Sequence, residues 1–248
     1  MNVMALHGFL GEGADWTRFA EAAGVELDAP TLPGHGPQPR PVPPHFTAWV
    51  AWLCERLRLS TSPVHLLGYS MGGRLALATA LAEAHSGRVA SLTLLGATPG
   101  LLTPKERWDR EHADRERAVR LESAGLAAFL DEWYRTPLFA PARQAVGHRT
   151  LMERRRHGQS AALASALRTA GTGVMPNLRP GLCQLRIPVL TLAGTLDDKF
   201  HRLGRELAGG IPRGRFAAVA DAGHSLLLEA PETCARLWTE FINPEDRS

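Results

Sequence analysis

One serine in this sequence has the neighbours of an exposed catalytic nucleophile, because a glycine lies two residues before it and another two residues after it. Ser70 is the centre of the motif G-Y-S-M-G (68–72), which lies between an apolar run (64–67) and a helical pattern (74–78). Glycines two residues before and after the serine allow a strand and a helix to approach closely, while the hydroxyl projects from the sharp turn between them. This context predicts a catalytic serine rather than a serine that caps a helix by chance.

A serine hydroxyl is a weak nucleophile and a weak base, so it needs a histidine and an acid beside it. In enzymes with this turn, the acid and then the histidine follow along the chain, each on a loop after a later strand. Asp197 comes just after the apolar run 187–192, and His224 follows the next such run. We expect His224 to accept the Ser70 proton and Asp197 to hold the other ring nitrogen. Asp198 is an alternative acid, because spacing cannot rank two neighbours on one loop.

Negative charge that develops during the reaction needs amide donors, an oxyanion hole. The amide after the nucleophile, that of Met71, is the first candidate. The second is expected on the loop after the first strand, L-H-G-F-L-G (6–11), and we assign it to Phe9. We expect His7 to brace this loop rather than to take part in acid–base chemistry.

The elements that must position these residues alternate between short apolar runs and helical patterns, which is typical of a parallel sheet flanked by helices. Predicted strands are 2–6, 24–28, 64–67, 89–95, 187–192 and 215–219. Predicted helices lie around 15–23, 47–59, 70–83, 203–208 and 231–241. The sequence therefore predicts an α/β fold with a mostly parallel sheet of about six strands.

The interval 99–185 breaks this rhythm, because it contains helical patterns rich in Arg, Glu and Ala but no convincing strand. A structureless loop of that length does not occur inside a compact domain. We therefore expect a core formed by 1–98 and 186–248 and an inserted helical lid at 99–185.

The charge balance excludes some partners and favours others. A net charge of +3 is too small for a nucleic-acid binder, and nearly all of the positive charge is arginine. Arginines are dense at 107–120 and 154–156, where they would suit an anionic small molecule or form a solvated helix face. No nucleotide-binding loop and no His/Cys cluster at metal-ligand spacing occurs, so neither a cofactor nor a metal is expected.

The three cysteines are an odd number without a C-x-x-C pair, and no apolar stretch approaches the ~18 residues of a membrane span. We therefore expect a cytoplasmic protein without membrane insertion.

Several segments together resemble one branch of the α/β-hydrolase superfamily, the 2-succinyl-6-hydroxy-2,4-cyclohexadiene-1-carboxylate synthases of menaquinone biosynthesis. The segments are L-H-G-F-L-G with D-W (6–16), L-P-G-H-G (32–36), G-Y-S-M-G-G-R-L-A-L (68–77), E-W-Y to P-L-F (132–139) and L-A-G to D-D-K-F (192–200). The resemblance covers essentially the whole chain. Because the chain starts almost at its first predicted strand, we expect six parallel strands rather than the eight usual in the superfamily.

The resemblance implies a lyase that eliminates pyruvate from 2-succinyl-5-enolpyruvyl-6-hydroxy-3-cyclohexene-1-carboxylate. Ser70, made basic by His224 and Asp197, would act as the general base, and no cofactor would be needed. The fold and these three residues would equally suit a serine carboxylesterase or thioesterase, which is the alternative function.

The resemblance also assigns residues that bind a small polycarboxylate substrate. Arginine side chains would read its carboxylates through paired hydrogen bonds. The residues carried over are Arg74, Arg110, Arg155, Tyr69 and Trp133. Arg107 is an alternative to Arg110, and Arg154 is an alternative to Arg155.

Overall fold

In the computed structural model, which describes residues 1–243, five strands form one parallel sheet in chain order. They are β1 (Asn2–Leu6), β2 (Val64–Tyr69), β3 (Val89–Leu95), β4 (Val189–Gly194) and β5 (Gly214–Val219). Each neighbouring pair is parallel, and the register aligns Leu6 with Gly68 and Gly68 with Leu94. The predicted parallel sheet flanked by helices is confirmed.

Alternate side chains of the strands face two separate helical layers, as the two-residue period of a strand requires. Val3 and Ala5 pack with Trp238 of α10 (Pro231–Ile242) and with α1 (Thr17–Ala23). Met4 and Leu6 pack on the other face, with α2 (Phe46–Arg58) and α3 (Met71–Ala82). The sheet is therefore buried on both faces.

The predicted strand at 24–28 is wrong. A single parallel bridge joins Asp28 to Met4, supported by two backbone hydrogen bonds with Val3 and Ala5. Gly24 has φ 64°, a left-handed conformation that ends α1. Pro30, which has no amide proton, follows two residues after the bridge. Within the described residues, the segment thus forms one bridge beside β1 and no ladder, and the sheet has five strands instead of six.

Helices dominate the interval between β3 and β4. They are α4 (Pro104–Arg135), α5 (Ala140–Val146), α6 (His148–Glu153) and α7 (Ser160–Ala170). These helices share an apolar cluster that is separate from the two on the faces of the sheet. It includes Leu121, Phe129 and Leu163, and also Leu10 from the loop after β1. Gly125, with φ 80°, interrupts α4. Farther along, Met175 and Leu182 pack with the sheet instead, on the side of α2 and α3.

Two helices follow β4 and β5 and carry residues of the site. α8 (Asp198–Gly210) is longer than the predicted 203–208. The Asp197 side chain caps its first turn, so the helix begins at Asp198, shortly after β4 ends. α9 (Leu226–Glu229) is a single turn just after His224. Within residues 1–243, no helix combines the length and the apolar character that a membrane span requires.

Candidate active site

Ser70 lies in a strained turn between β2 and α3. Its φ is 52°, which is uncommon for a residue with a side chain. The Ser70 amide donates to the Leu95 carbonyl (2.8 Å), and the Gly72 amide donates to the His7 carbonyl (3.1 Å). A Cβ atom at Gly68 would lie 2.5 Å from the Gly72 carbonyl oxygen. Glycine at 68 is therefore what lets the strand and helix close around the serine.

The structure brings Ser70, His224 and Asp197 together from three loops at the carboxyl end of the sheet. Nε2 of His224 lies 3.1 Å from Ser70 Oγ, and Nδ1 lies 3.0 Å from Asp197 Oδ2. A carboxylate only accepts hydrogen bonds, so Nδ1 carries the ring proton and Nε2 is free to accept the serine proton. This is the arrangement that general-base chemistry at Ser70 requires.

Asp197 uses both of its carboxylate oxygens. While Oδ2 faces His224, Oδ1 accepts the Phe200 amide (3.1 Å) at the first turn of α8. The Asp197 side chain is buried, whereas the neighbouring Asp198 is exposed. Of the two acids that spacing left open, the geometry therefore favours Asp197.

The imidazole of His224 packs against the Phe200 ring and against the backbone at Gly96. The Phe200 ring centroid lies 4.4 Å from that of His224. A Cβ atom at Gly96, whose φ is 55°, would lie 3.0 Å from His224 Cε1. His224 itself is 3% exposed. Water is thus kept from most of the ring, and its two nitrogens are left to Asp197 and Ser70.

The Phe9 amide belongs to a tight turn beside Ser70. The Gly11 amide donates to the Gly8 carbonyl (3.0 Å) and closes the turn, and Leu10 has φ 66°. A Cβ atom at Gly8 would lie 3.4 Å from Ser70 Cβ, which shows how near the loop comes. Met71 begins α3, where the first amides have no acceptor within the helix. Both candidate oxyanion donors therefore lie on segments adjoining Ser70.

His7 braces this loop. Its Nε2 accepts the Leu32 amide (2.9 Å), which leaves Nδ1 to donate to the Gly8 carbonyl (2.7 Å). Burial, together with the neighbouring His35, lowers the pKa of His7 to about 3. His7 is therefore neutral, and both of its nitrogens are occupied.

A cavity of about 350 Å³ opens over Ser70 and His224. Its cationic lining residues are Arg74, Arg110, Arg154, Arg155 and Lys199, and its acidic lining residue is Asp15. Aromatic rings from Phe9, Tyr69, Trp133, Tyr134, Phe139 and Phe200 form much of the remaining wall. The cavity thus carries a net positive charge, which suits a substrate with more than one carboxylate.

Arg74 is buried at this wall, one helical turn after Ser70. Its Nη1 donates to the Ala170 carbonyl (2.7 Å), and no carboxylate of residues 1–243 forms an ion pair with it. Burial and the nearby Arg110 lower its pKa to about 9, against the opposite effect of Asp114. A buried guanidinium without an ion pair is costly, and an anion bound in the cavity would supply the missing partner.

Comparison with known proteins places this geometry in a family. The model of the alpha/beta hydrolase family matches residues 3–237. The 2-succinyl-6-hydroxy-2,4-cyclohexadiene-1-carboxylate synthase of Serratia proteamaculans is 33% identical over 96% of this chain and 92% of its own length. That of Pectobacterium atrosepticum is 32% identical over 97% of this chain and 93% of its own length. The chain belongs to the alpha/beta hydrolase family, in its 2-succinyl-6-hydroxy-2,4-cyclohexadiene-1-carboxylate synthase branch.

Solved structures share this fold, and one of them is a MenH. MenH from S. aureus superposes with a TM-score of 0.90 at 28% identity, covering 99% of this chain and 95% of the other. An esterase from Thermogutta terrifontis, solved with malate bound, superposes with a TM-score of 0.80 at 26% identity, covering 98% and 90% of the two chains. Synthases of this branch are carbon–oxygen lyases, and this chain is an enzyme of that class.

Two further arginines assigned from the family resemblance line the cavity. Unlike Arg74, each of them has a carboxylate partner within the protein. Nε of Arg110 donates to both oxygens of the buried Asp114 (2.9 and 3.0 Å), which leaves its terminal nitrogens to the cavity. Arg107, the alternative, is not among the lining residues. Arg155 lies 2.8 Å from Asp15, and its own alternative, Arg154, lies 3.5 Å from the same carboxylate.

The two aromatic residues assigned from the resemblance also line the cavity. The Tyr69 ring lies 5.6 Å from that of His224. Burial raises the pKa of Tyr69 above its usual range, and a hydrogen bond with Ser225 partly opposes the shift. Trp133 stacks on Phe129 and meets the Phe9 ring edge to face, both at 5.6 Å. Trp133 therefore joins α4 to the loop that carries the Phe9 amide.

Sequence reasoning did not assign roles to Lys199, Phe200 or Asp15, although all three stood in the quoted segments. Lys199 and Phe200 lie in the first turn of the helix that Asp197 caps, so the helical period after the acid could have indicated them. Burial and Arg110 lower the pKa of Lys199. Among residues 1–243, no group of three His, Cys, Asp or Glu side chains is arranged to hold a metal ion.

Proposed function

We propose that this enzyme is a lyase of menaquinone biosynthesis that eliminates pyruvate from 2-succinyl-5-enolpyruvyl-6-hydroxy-3-cyclohexene-1-carboxylate, with Ser70, His224 and Asp197 as its base. One observation carries the proposal beyond the names of the relatives. The buried Arg74 has no carboxylate partner in the described residues and lies on the same wall as Ser70. A general esterase has no need for such a cation, whereas an anionic substrate supplies its partner.

The proposed step conserves atoms and needs no water. Ser70 Oγ removes the proton from the ring carbon that bears the succinyl group, and the Ser70 proton passes to Nε2 of His224. The electron pair of the broken C–H bond shifts into the ring, and the C–O bond to the enolpyruvyl group breaks. The C–H electron pair stays in the ring as part of the new diene, and enolpyruvate leaves with the electron pair of the C–O bond. It becomes pyruvate when it takes up a proton, which the imidazolium of His224 can return.

Charge that develops during this step needs stabilisation at two places. Negative charge spreads onto the succinyl carbonyl, where the Phe9 and Met71 amides would donate to it. Positive charge on His224 is stabilised by Asp197, whose Oδ2 lies 3.0 Å from Nδ1. Preorganised donors of this kind lower the barrier because they need no rearrangement during the reaction.

Carboxylates on the ring, the succinyl arm and the enolpyruvyl group would meet the cationic wall. We assign one of them to Arg74 and one to the terminal nitrogens of Arg110. We also propose that segment 99–185 acts as a lid, since it contributes Arg110, Trp133 and Arg155 to the cavity over Ser70.

The test is pyruvate release from freshly generated substrate, followed through NADH consumption by lactate dehydrogenase, with p-nitrophenyl acetate as a second substrate. We expect the enzyme to release pyruvate much faster than the substrate does by spontaneous decay. Spontaneous-level pyruvate release together with fast ester cleavage would instead support the carboxylesterase alternative, which the Thermogutta terrifontis neighbour represents.

A further inference from the structure

The loop that carries His224 is held from one side by a single carboxylate. Oε2 of Glu229 accepts the Gly223 amide (2.6 Å), and Oε1 accepts the Ser225 amide (2.9 Å). The two amides are those immediately before and after His224. Glu229 therefore binds the main chain on both sides of the histidine with one rigid group.

This loop has little regular structure of its own. It runs from the end of β5 at Val219 to the start of α9 at Leu226, and Asp221 within it has φ 54°. No amide of Gly223 or Ser225 donates to a backbone acceptor in residues 1–243, so Glu229 is the partner of both. Without that carboxylate, two buried amides beside the imidazole would lack acceptors.

Glu229 reaches the loop because α9 is a single helical turn that ends at Glu229 itself. The turn places the carboxylate back against the residues that precede it. Glu229 forms no ion pair with any cation of residues 1–243, since its two oxygens are both turned to the amides. Its negative charge thus lies next to the segment in which His224 becomes positive during the proposed reaction.

We infer that Glu229 is a positioning residue for His224. It fixes the orientation in which Nε2 faces Ser70 and Nδ1 faces Asp197, and its charge favours the imidazolium. A residue that merely stabilises the loop would change the free energy of unfolding but leave kcat and the titration of His224 unchanged. The activity part of the test rests on the proposed function, but the titration part does not.

The variant Glu229→Gln keeps the size of the side chain but removes the charge and one of the two acceptors. We expect kcat for pyruvate release to fall at least tenfold while KM changes less than twofold, because Glu229 itself does not line the cavity and the cationic wall is unchanged. In a His224→Ala background, the same substitution is expected to have no further effect. Glu232→Gln is the matched control, since Glu232 is 57% exposed, pairs with Arg18 and lies in α10.

The second readout is the titration of the ¹⁵N-labelled His224 ring followed by NMR, assigned with His224→Gln. Asp197 and Tyr69 contact the ring, and the charged residues of the cavity it faces are Asp15, Arg74, Arg110, Arg154, Arg155 and Lys199; all of them stay the same in the variant. We expect the His224 midpoint to move to lower pH in Glu229→Gln and not in Glu232→Gln. Should Glu229→Gln fail to fold, Glu229→Asp keeps the charge but is one methylene shorter, so kcat is expected to fall with a smaller shift of the midpoint.

The outcomes separate the two proposals. A shifted His224 midpoint in a protein that releases no pyruvate would support the role of Glu229 and reject the lyase assignment. An active enzyme in which Glu229→Gln changes neither kcat nor the midpoint would reject the role of Glu229.

Discussion

The terminal nitrogens of Arg155 each lie 2.8 Å from a different oxygen of Asp15. Arg155 follows α6 in the helical segment, whereas Asp15 lies just past the turn that presents the Phe9 amide. Both side chains are largely buried, at 15% and 7% exposure. The pair therefore joins the helical segment to the loop that carries the Phe9 amide, and Asp15 compensates the charge of Arg155 within the protein. Arg74 has no such partner.

Replacing Arg74 by Met is expected to separate activity from stability. We expect kcat/KM to fall at least ~10-fold, about 1.4 kcal/mol of transition-state binding, because a substrate carboxylate loses its partner. The melting temperature is expected to stay the same or rise, because a buried cation without an ion pair is removed. Steady-state kinetics and thermal unfolding measure the two effects. An unchanged kcat/KM would remove Arg74 from the site.

The matched control for that experiment is Arg149→Met. Arg149 is 90% exposed on α6 and pairs with Glu153. Kinetics and melting temperature are both expected to stay close to those of the unaltered enzyme.

The Asp15 and Arg155 pair is expected to show strong coupling in a double-mutant cycle. Asp15→Asn or Arg155→Met alone leaves one buried charge without its partner, which costs about 3 kcal/mol of unfolding free energy. The double substitution is expected to cost less than the sum of the two. Urea denaturation of the four proteins measures the coupling, and strictly additive losses would show that the two side chains act independently.

Asp15 also predicts an effect of acid. Burial by itself raises the pKa of Asp15, but the charge and hydrogen bond of Arg155 outweigh it, so the pKa lies below the usual value of 3.8. The contribution of the pair is therefore complete above about pH 4 and is lost as the pH falls further. In Arg155→Met, burial is no longer outweighed, so the loss of stability that Asp15 causes in acid is expected to disappear or reverse, which urea denaturation of both proteins at pH 5, 4 and 3 measures.

The choice of acid is tested by two neighbouring substitutions. Asp197→Asn is expected to lower kcat by roughly 10³-fold or more, because the His224 tautomer is no longer fixed. Asp198→Asn, on an exposed side chain of the same turn, is expected to stay within about twofold. Pyruvate release by both variants gives the ranking, and the reverse order would assign the role to Asp198.

Two buried histidines predict a loss of stability in mild acid. Burial and His35 lower the pKa of His7 to about 3, and burial lowers that of His35 to about 4 against a hydrogen bond with the Pro33 carbonyl. Both are near 6.5 in an unfolded chain. Unfolding therefore takes up protons between about pH 6.5 and 4, and stability is highest above that window.

The expected loss is about 1.4 kcal/mol of unfolding free energy per pH unit for each of these histidines. Urea denaturation at pH 7, 6 and 5 measures it. His157→Gln, at an exposed position, is expected to follow the same curve as the unaltered protein. An unfolding free energy that stays constant from pH 7 to pH 5 would contradict the assignment of neutral His7 and His35.

The features that could be predicted from the sequence are those whose causes are local. Gly68 and Gly72 are required by the turn around Ser70 itself, and strands buried on both faces are visible as apolar runs. Segment 24–28 was wrongly predicted as a strand because its residue pattern is that of a strand. Whether such a segment joins the sheet depends on its hydrogen bonds with the neighbouring strand, which the local pattern does not determine. In the structure, the segment pairs with the edge of β1 only through one bridge, at Asp28.

Features with distant causes could not be derived. Asp15 and Arg155 are 140 residues apart, and spacing alone could not decide between Arg154 and Arg155. The uncompensated state of Arg74 likewise depends on where Asp114 and Ala170 come to lie. Glu229 is different, because it follows His224 by only five residues, within reach of a single helical turn, and close reading of that turn could have indicated it.

The role of Ser70 as the base that starts pyruvate elimination is tested by the variant Ser70→Ala. Purified variant and unaltered enzyme are given the same freshly generated 2-succinyl-5-enolpyruvyl-6-hydroxy-3-cyclohexene-1-carboxylate, and pyruvate is followed through NADH consumption. We expect rapid release by the unaltered enzyme and release at the spontaneous rate by Ser70→Ala, with an unchanged melting temperature. Pyruvate release by Ser70→Ala at the rate of the unaltered enzyme would contradict it.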